Sequence, residues 1–267
     1  MQVLRHKTST FKNNHLFAAE YNLAVEELLE IYVDDTPYAI TMRLPGDDLN
    51  LVAGFCFTEG IIESGEDLLS VEHCREIGGD RRILVRLNHG AEKGASRHAG
   101  RREFLSKSSC GLCGKSKADE IFSGMHRVER FHRISLGDIL RLKEAFEAGQ
   151  TIFTLTGSTH SASIFDVRGD ILASSEDIGR HNAFDKAIGA LVRSAQTDRA
   201  FLSIVSSRSS FEMVQKAGVL GLEVLAAVSA PTSMAVNMAE DLNITLIGFL
   251  RETSMTIYTH PERIMHS

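Results

Sequence analysis

The C-terminal half of this 267-residue chain alternates two kinds of segment in a regular order. Ala200-Phe-Leu-Ser-Ile-Val205, Glu223-Val-Leu-Ala-Ala-Val228 and Ile244-Thr-Leu-Ile-Gly-Phe249 are short apolar runs bounded by polar residues. Between them, Phe211–Leu220 and Thr232–Leu242 carry apolar residues at helical spacing. Strands joined through helices make right-handed crossovers, so this order predicts a mostly parallel sheet with helices on its faces. Ahead of it, Ser135–Gly149 reads as a helix with a capping serine and a terminal glycine. Thr151–Thr156 is rich in β-branched residues and reads as a strand. Ser161–Val167 and Asp170–Ser174 read as a hairpin about Arg168-Gly169, and a helix follows from about His181 to Ser194.

The chain before residue 90 mixes strands with one clear helix. Leu28–Val33 and Pro37–Arg43 are expected strands across an Asp34-Asp35-Thr36 turn. Leu49, Val52, Ala53 and Cys56 then recur at helical spacing, behind Asp47 and Asp48, whose carboxylates can accept the first free amides. Arg82–Leu87 is a further strand. Residues 88–109 lose the apolar period and gain glycines and basic side chains, the pattern of a mobile connection. The expected organisation is a smaller N-terminal α/β domain (1–90), a mobile basic loop (91–133) and a larger, ligand-binding α/β domain (134–267).

Composition bounds the function classes. Hydrophobic content of 43% and charged content of 24% are those of a globular protein. A net charge of −6 argues against general nucleic-acid binding. No apolar run approaches the roughly 20 residues that span a bilayer, and Met1-Gln-Val-Leu-Arg-His-Lys7 lacks the apolar core of a signal peptide. A cytoplasmic location is the default expectation, with the four cysteines as thiols. Cys56 and Cys74 read as small buried or half-buried hydrophobes.

Cys110 and Cys113 form a motif, Ser108-Ser-Cys-Gly-Leu-Cys-Gly-Lys115. Glycine beside each thiol allows a sharp turn and open sulfurs. Lys107, Lys115 and Lys117 favour the thiolate. Four readings follow from the spacing alone. A structural zinc needs two more ligands, which a symmetric dimer could supply. A thioredoxin-like redox pair should open a helix after a strand, and this motif follows a glycine-rich loop. A thiolate can also attack a persulfide and carry its sulfur. The fourth reading is a pair of unreactive thiols.

The second dense cluster is Ser175-Glu-Asp-Ile-Gly-Arg-His-Asn-Ala-Phe-Asp-Lys186. Arg180 and His181 stand at an expected helix start, where positive charge opposes the helix dipole unless an anion is bound. The plain alternative is an exposed face with His181 and Asp185 paired at i, i+4. Ser206-Ser-Arg-Ser-Ser210, Ser229-Ala-Pro-Thr-Ser233 and Leu250-Arg-Glu-Thr-Ser254 follow the carboxyl ends of three strands, where α/β sheets collect ligands. Arg208 and Arg251 suit phosphate, while Ser210 and Thr232 suit helix capping. Thr156-Gly-Ser-Thr-His160 adds a histidine at a strand end.

Together these residues resemble the FdhD/NarQ family of formate dehydrogenase accessory sulfurtransferases. The likeness rests on Ser109–Lys115, Glu176–Lys186, Phe211-Glu-Met-Val-Gln-Lys216, Ser229-Ala-Pro-Thr232 and Gly248-Phe-Leu-Arg251. It extends to Met42-Arg-Leu-Pro-Gly-Asp-Asp48 and Gly54–Ile62. It departs where the family often has Thr-Gly-Gly-x-His and this chain has Ser158, and where an Asn-Gly turn is Asp34-Asp35. The resemblance implies a cytidine-deaminase-like three-layer α/β fold without the deaminase zinc signature, a smaller α/β domain, and a homodimer. It implies a sulfur carrier that takes sulfur from a cysteine desulfurase as a persulfide on Cys110. That sulfur passes to the molybdenum cofactor in its bis-guanine-dinucleotide form, bound as a substrate, and formate dehydrogenase depends on the transfer. Cys113 assists. The cofactor-contacting tail corresponds to Phe249, Leu250, Arg251, Glu252, Thr253 and Ser254, with Arg180, His181, Arg208, Ser229 and Thr232 completing the site. No permanent metal is expected, and no nucleic-acid or membrane partner. The competing functional reading is a non-enzymatic cofactor-binding chaperone whose cysteine pair is structural or zinc-binding.

Overall fold

The computed structural model describes residues 1–74, 81–88 and 125–265. The Cys110–Cys113 motif and its flanking lysines lie outside the described residues, as do residues 91–124 of the expected loop.

The chain opens with two long antiparallel strands, β1 (Val3–Lys12) and β2 (His15–Ala24), paired only with each other among the described residues. Asn13 and Asn14 both take positive φ, as a two-residue hairpin turn requires. Strands β3 (Glu27–Val33) and β4 (Thr36–Arg43) follow as expected, their turn residues Asp34 and Asp35 also at positive φ. Helix α1 (Asp48–Thr58) begins where expected, but neither aspartate caps it: Asp47 makes no side-chain cap bond. Asp48 instead joins Glu27 around the buried Arg43 guanidinium, each at 2.9 Å. Strands β5 (Leu68–His73) and β6 (Arg82–Leu87) complete a four-stranded sheet in the order β4-β3-β6-β5.

Residues 125–133, the described part of 91–133, hydrogen-bond to residues of the C-terminal half. Val128 donates to the carbonyl of Leu242 at 2.9 Å and accepts from Asn243 at 2.6 Å. Arg130 donates to the carbonyls of Asp198, Ala200 and Gly221, and His132 meets the buried Glu223 carboxylate at 2.7 Å.

Next come β7 (Ile134–Ser135), α2 (Leu136–Ala148) and α3 (Thr151–Thr156). Ser135 caps α2 through the Asp138 amide. The expected strand at 151–156 is the helix α3, because the Glu176 carboxylate accepts from the amides of Ile152 and Phe153, each at 2.7 Å. A distant carboxylate thus overrides a β-branched sequence. The rest are β8 (His160–Phe165), β9 (Ile171–Asp177), α4 (Arg180–Arg193), β10 (Leu202–Val205), α5 (Phe211–Leu220), β11 (Val224–Ala227), α6 (Ser233–Asp241), β12 (Thr245–Gly248), β13 (Thr256–Ile257) and β14 (Ile264–Met265).

The central sheet runs β13-β12-β11-β10-β8-β9. Only β10–β11 and β11–β12 are parallel; β12–β13, β10–β8 and β8–β9 are antiparallel. The expectation of a mostly parallel sheet is therefore corrected to a mixed sheet. Short hairpin connections force β9 and β13 to run back beside their neighbours.

Alternate residues of the sheet serve two cores. Ala162, Ile164, Val205, Leu225, Ala227 and Leu246 face α4, α5 and α6, and this core continues through α1 to Leu29, Ile31, Ile83 and Val85 of the four-stranded sheet. Phe165, Leu202, Ile204, Val224, Ala226 and Ile247 face α2 and β14. Residues 27–87 and 160–250 thus share one continuous core. Helices α1 and α4 touch backbone to backbone: a Cβ on Gly54 would stand 1.9 Å from the Asp185 carbonyl oxygen, and one on Gly189 1.8 Å from that of Asn50. Among the described residues no helix is long and apolar enough to cross a membrane.

Candidate functional site

The sheet register brings nearly every candidate ligand residue to one place. Strands β10, β11 and β12 run in parallel, so residues 206–210, 228–232 and 249–254 leave the sheet at the same carboxyl edge. Strand β8 runs the other way, which puts His160 at that edge; its Nδ1 lies 3.3 Å from Ser206 Oγ. Strand β9 ends there at Asp177, and α4 starts three residues later. The loops are laced together. Thr232 donates its amide to the Ser209 carbonyl, Phe249 to that of Ser229, and Leu250 to that of Ala227. Arg251 donates from its guanidinium to the Val228 carbonyl.

The 175–186 cluster divides into buried supports and outward groups. Asp177 is fully buried and pairs with Lys186 at 2.8 Å. It also accepts from the amides of Gly179 and Leu44 and from Asn182 Nδ2, which fixes the start of α4 against the end of β4. Asp185 pairs with Lys216 at 2.8 Å and accepts from Thr58, not from His181. The i, i+4 pair of the plain alternative does not form; Lys216 from α5 takes the carboxylate instead. Burial works to raise the Asp185 pKa, and the Lys216 ammonium works against it. Arg180 and His181 are left half-buried at the rim.

Among the described residues, Ser161 Oγ, His181 Nε2 and Ser209 Oγ, at or beside this edge, are buried without a hydrogen-bond partner. Orphaned buried polar atoms in a native protein call for an unseen partner. Ser161 and Ser209 were not singled out by sequence, although Ser209 lies within the serine run after β10. Nor was Glu212, whose carboxylate accepts from Ser210 Oγ at 2.6 Å and stands 4.0 Å from His181 Nε2. That bond explains why Ser210 does not cap α5, whereas Thr232 does cap α6. Leu250 is fully buried, its side chain in the core that packs on α2. Arg208, Thr232, Phe249, Arg251, Glu252, Thr253 and Ser254 are exposed, and Ser229 is half-buried. Phe249 holds φ at +50°, an uncommon conformation for an aromatic residue that concentrates at functional sites. Among the described residues no group of three or more His, Cys, Asp or Glu side chains could hold a metal. Cys56 is buried, and burial raises its pKa; Cys74 is half-buried.

Burial, with the Lys216 and Arg180 charges beside it, pushes the His181 imidazole down to about 4. Burial and Arg180 also lower His160. At neutral pH the edge thus offers neutral imidazoles, so Arg180, Arg208 and Arg251 supply its positive charge. The depressed value has a stability consequence. The unfolded chain protonates His181 near its ordinary value, and the folded chain does so only near 4. Its contribution is therefore complete above about pH 6.5 and is lost as pH falls towards 4. Between pH 7.5 and 5 the loss should be about 2 kcal/mol from this residue. Urea denaturation at both pH values should show the difference shrinking by that amount in His181→Gln.

A sequence profile described as the FdhD/NarQ family matches residues 24–265. The chain belongs to the FdhD/NarQ family. The sulfur carrier protein FdhD of Mycolicibacterium paratuberculosis is 39% identical, covering 99% of this chain and all of that one. The sulfur carrier protein FdhD of Sulfolobus acidocaldarius is 37% identical over 99% of both chains. The same fold occurs in the crystal structure of a protein assigned as a formate dehydrogenase accessory protein from Desulfotalea psychrophila. Its TM-score is 0.81 at 19% identity, covering 99% of this chain and all of that one. These two relatives and the solved structure each cover 99% of this FdhD/NarQ chain.

Proposed function

We propose that this chain carries sulfur as a persulfide on Cys110 and delivers it to the molybdenum cofactor in its bis-guanine-dinucleotide form, for use by formate dehydrogenase. The observation that carries this reading is the meeting of Arg180, Arg208, Ser229, Thr232 and the 249–254 segment on one sheet edge, beside Ser161, His181 and Ser209 atoms that are buried without a partner among the described residues. A nucleotide-bearing substrate matches that set. Arginines pair with phosphate oxygens, hydroxyls and imidazole nitrogens with sugar and base, and the exposed Phe249 ring offers a stacking face. End-to-end likeness to proteins named sulfur carriers supports the chemistry assigned to Cys110.

The sulfur donor is a cysteine desulfurase persulfide. Cys110 thiolate attacks its outer sulfur; the donor S–S bond breaks and the donor cysteine leaves as thiolate. Cys110 then holds the outer sulfur. Cys113 thiolate attacks the inner sulfur, releasing hydrosulfide to the substrate and closing a Cys110–Cys113 disulfide. A cellular thiol reductant reopens the pair. Lys107 and Lys115 favour both thiolates.

Intact-protein mass spectrometry after incubation with a desulfurase and cysteine tests the reading. The wild type and Cys113→Ala should gain a reducible sulfur, about 32 Da, and Cys110→Ala should not. No gain in any of the three sinks the carrier mechanism and favours a binding chaperone. One zinc per two chains would assign the cysteine pair to a structural staple.

A further inference from the structure

The ribbon β1–β2 has no part in the site described above. All but its last residue precede the family-matched region, which begins at residue 24. None of its strand residues is buried, and none belongs to either apolar core. Yet it is rich in large apolar side chains. Leu4, Phe17, Tyr21 and Leu23 share one face, between 42% and 53% exposed. Phe11 and Leu16 sit opposite each other near the tip, 68% and 70% exposed. A two-stranded ribbon is marginal in water without something packed on it. Both of its outer edges lack a strand neighbour among the described residues, and neither carries a bulge or a proline. Soluble proteins ordinarily blunt such edges.

The ribbon also has a distinct charge and position. The ribbon carries Arg5, Lys7 and Lys12 against Glu20, on a chain whose net charge is −6. Gln2 Nε2 ties its base to the Pro45 carbonyl at 2.8 Å, one residue beyond Leu44, whose amide reaches Asp177. Strand β2 lies against α3, which adds the exposed Phe153 and Leu155. Helix α3 leads through residues 157–159 to His160 on the carboxyl edge. The ribbon therefore stands at the rim of the candidate site.

We propose that the ribbon is a docking edge for the protein that receives the sulfurated cofactor, through an acidic surface that adds a strand to it and covers its apolar side chains. This rests on the reading of the carboxyl edge as the cofactor site. A receiver must approach that edge, and the ribbon stands there with a net positive charge. Strand addition satisfies the free edge, and alternate side chains give the contact its selectivity.

The probe is the purified, cofactor-free catalytic subunit of formate dehydrogenase from the same organism, captured against the full chain at low and high salt. The variants are Phe11→Ser with Leu16→Ser, and Arg5→Glu with Lys7→Glu. Each pair should weaken capture by at least about tenfold, and wild-type capture should weaken with salt. Persulfide loading in both variants should match wild type, which shows that they fold and tests the carrier reading separately. Unchanged capture overturns the docking proposal, as does a wild type that loads sulfur but never binds the subunit. A wild-type dimer dissociated by the same substitutions gives the ribbon to a second copy and overturns it too. So does binding to phosphatidylglycerol vesicles that replaces binding to the subunit.

Discussion

Replacing Lys216 with methionine should destabilise the chain by about 3–5 kcal/mol, the usual cost of stranding a buried charge. The Lys216 ammonium is 2.8 Å from both oxygens of Asp185 and from Thr58 Oγ1, and all three residues are buried. Without it the Asp185 carboxylate faces Thr58 alone, and burial drives its pKa up further. Burial already raises Asp185 in the wild type, so Lys216→Met should strengthen the loss of stability as pH rises through the raised Asp185 value. Chemical denaturation reads the loss. Pairing the substitution with Asp185→Leu should recover much of it, because two apolar groups at a buried ion pair often cost little. If Lys216→Met unfolds within 1 kcal/mol of wild type, about the range of an exposed pair, the triad is not the tie between α1, α4 and α5 that its geometry suggests.

Gly189→Ala should cost about 3 kcal/mol or more, at the upper end of overpacking in a protein core. The added methyl would meet the Asn50 carbonyl oxygen at 1.8 Å and the Gly54 amide at 2.6 Å. Those atoms are backbone within a helix, so α1 and α4 must move apart along their crossing. Gly54→Ala should behave alike. Gly137→Ala in α2 is the control, since its methyl meets only Ser135 Oγ at 3.8 Å. There alanine should raise stability by about 0.5–1 kcal/mol through helix propensity. Thermal melts of the three variants would separate close packing from a general intolerance of alanine.

These two sites mark a limit of reading the chain as a string. The apolar period located α1 and α4–α6 to within a residue or two, and strand ends after β10, β11 and β12 pointed to the candidate edge. Both signals are local: burial of one helix stripe and the pleat of a buried strand are written in neighbouring residues. What escaped depends on residues far apart. The Glu176 carboxylate turns 151–156 into a helix. Asp177 and Asp185 lie in a cluster that read as an anion site or an exposed face, but their partners are Leu44, Lys186 and Lys216. Ser161 and Ser209 gain interest only from having no partner, which no sequence pattern reports. The mixed sheet was legible in part, since the 161–174 hairpin already implied one antiparallel pairing.

The shared core also sets a timetable for synthesis. Leu29, Ile31, Ile83 and Val85 emerge from the ribosome roughly 100 residues before the α4 residues Phe184, Ala187 and Ile188 that complete the same core. At about 5–20 residues per second, that apolar face waits on the order of 5–20 s for its cover. For that interval the nascent N-terminal half holds apolar surface open to the solvent, and slower translation over the intervening stretch lengthens the exposure.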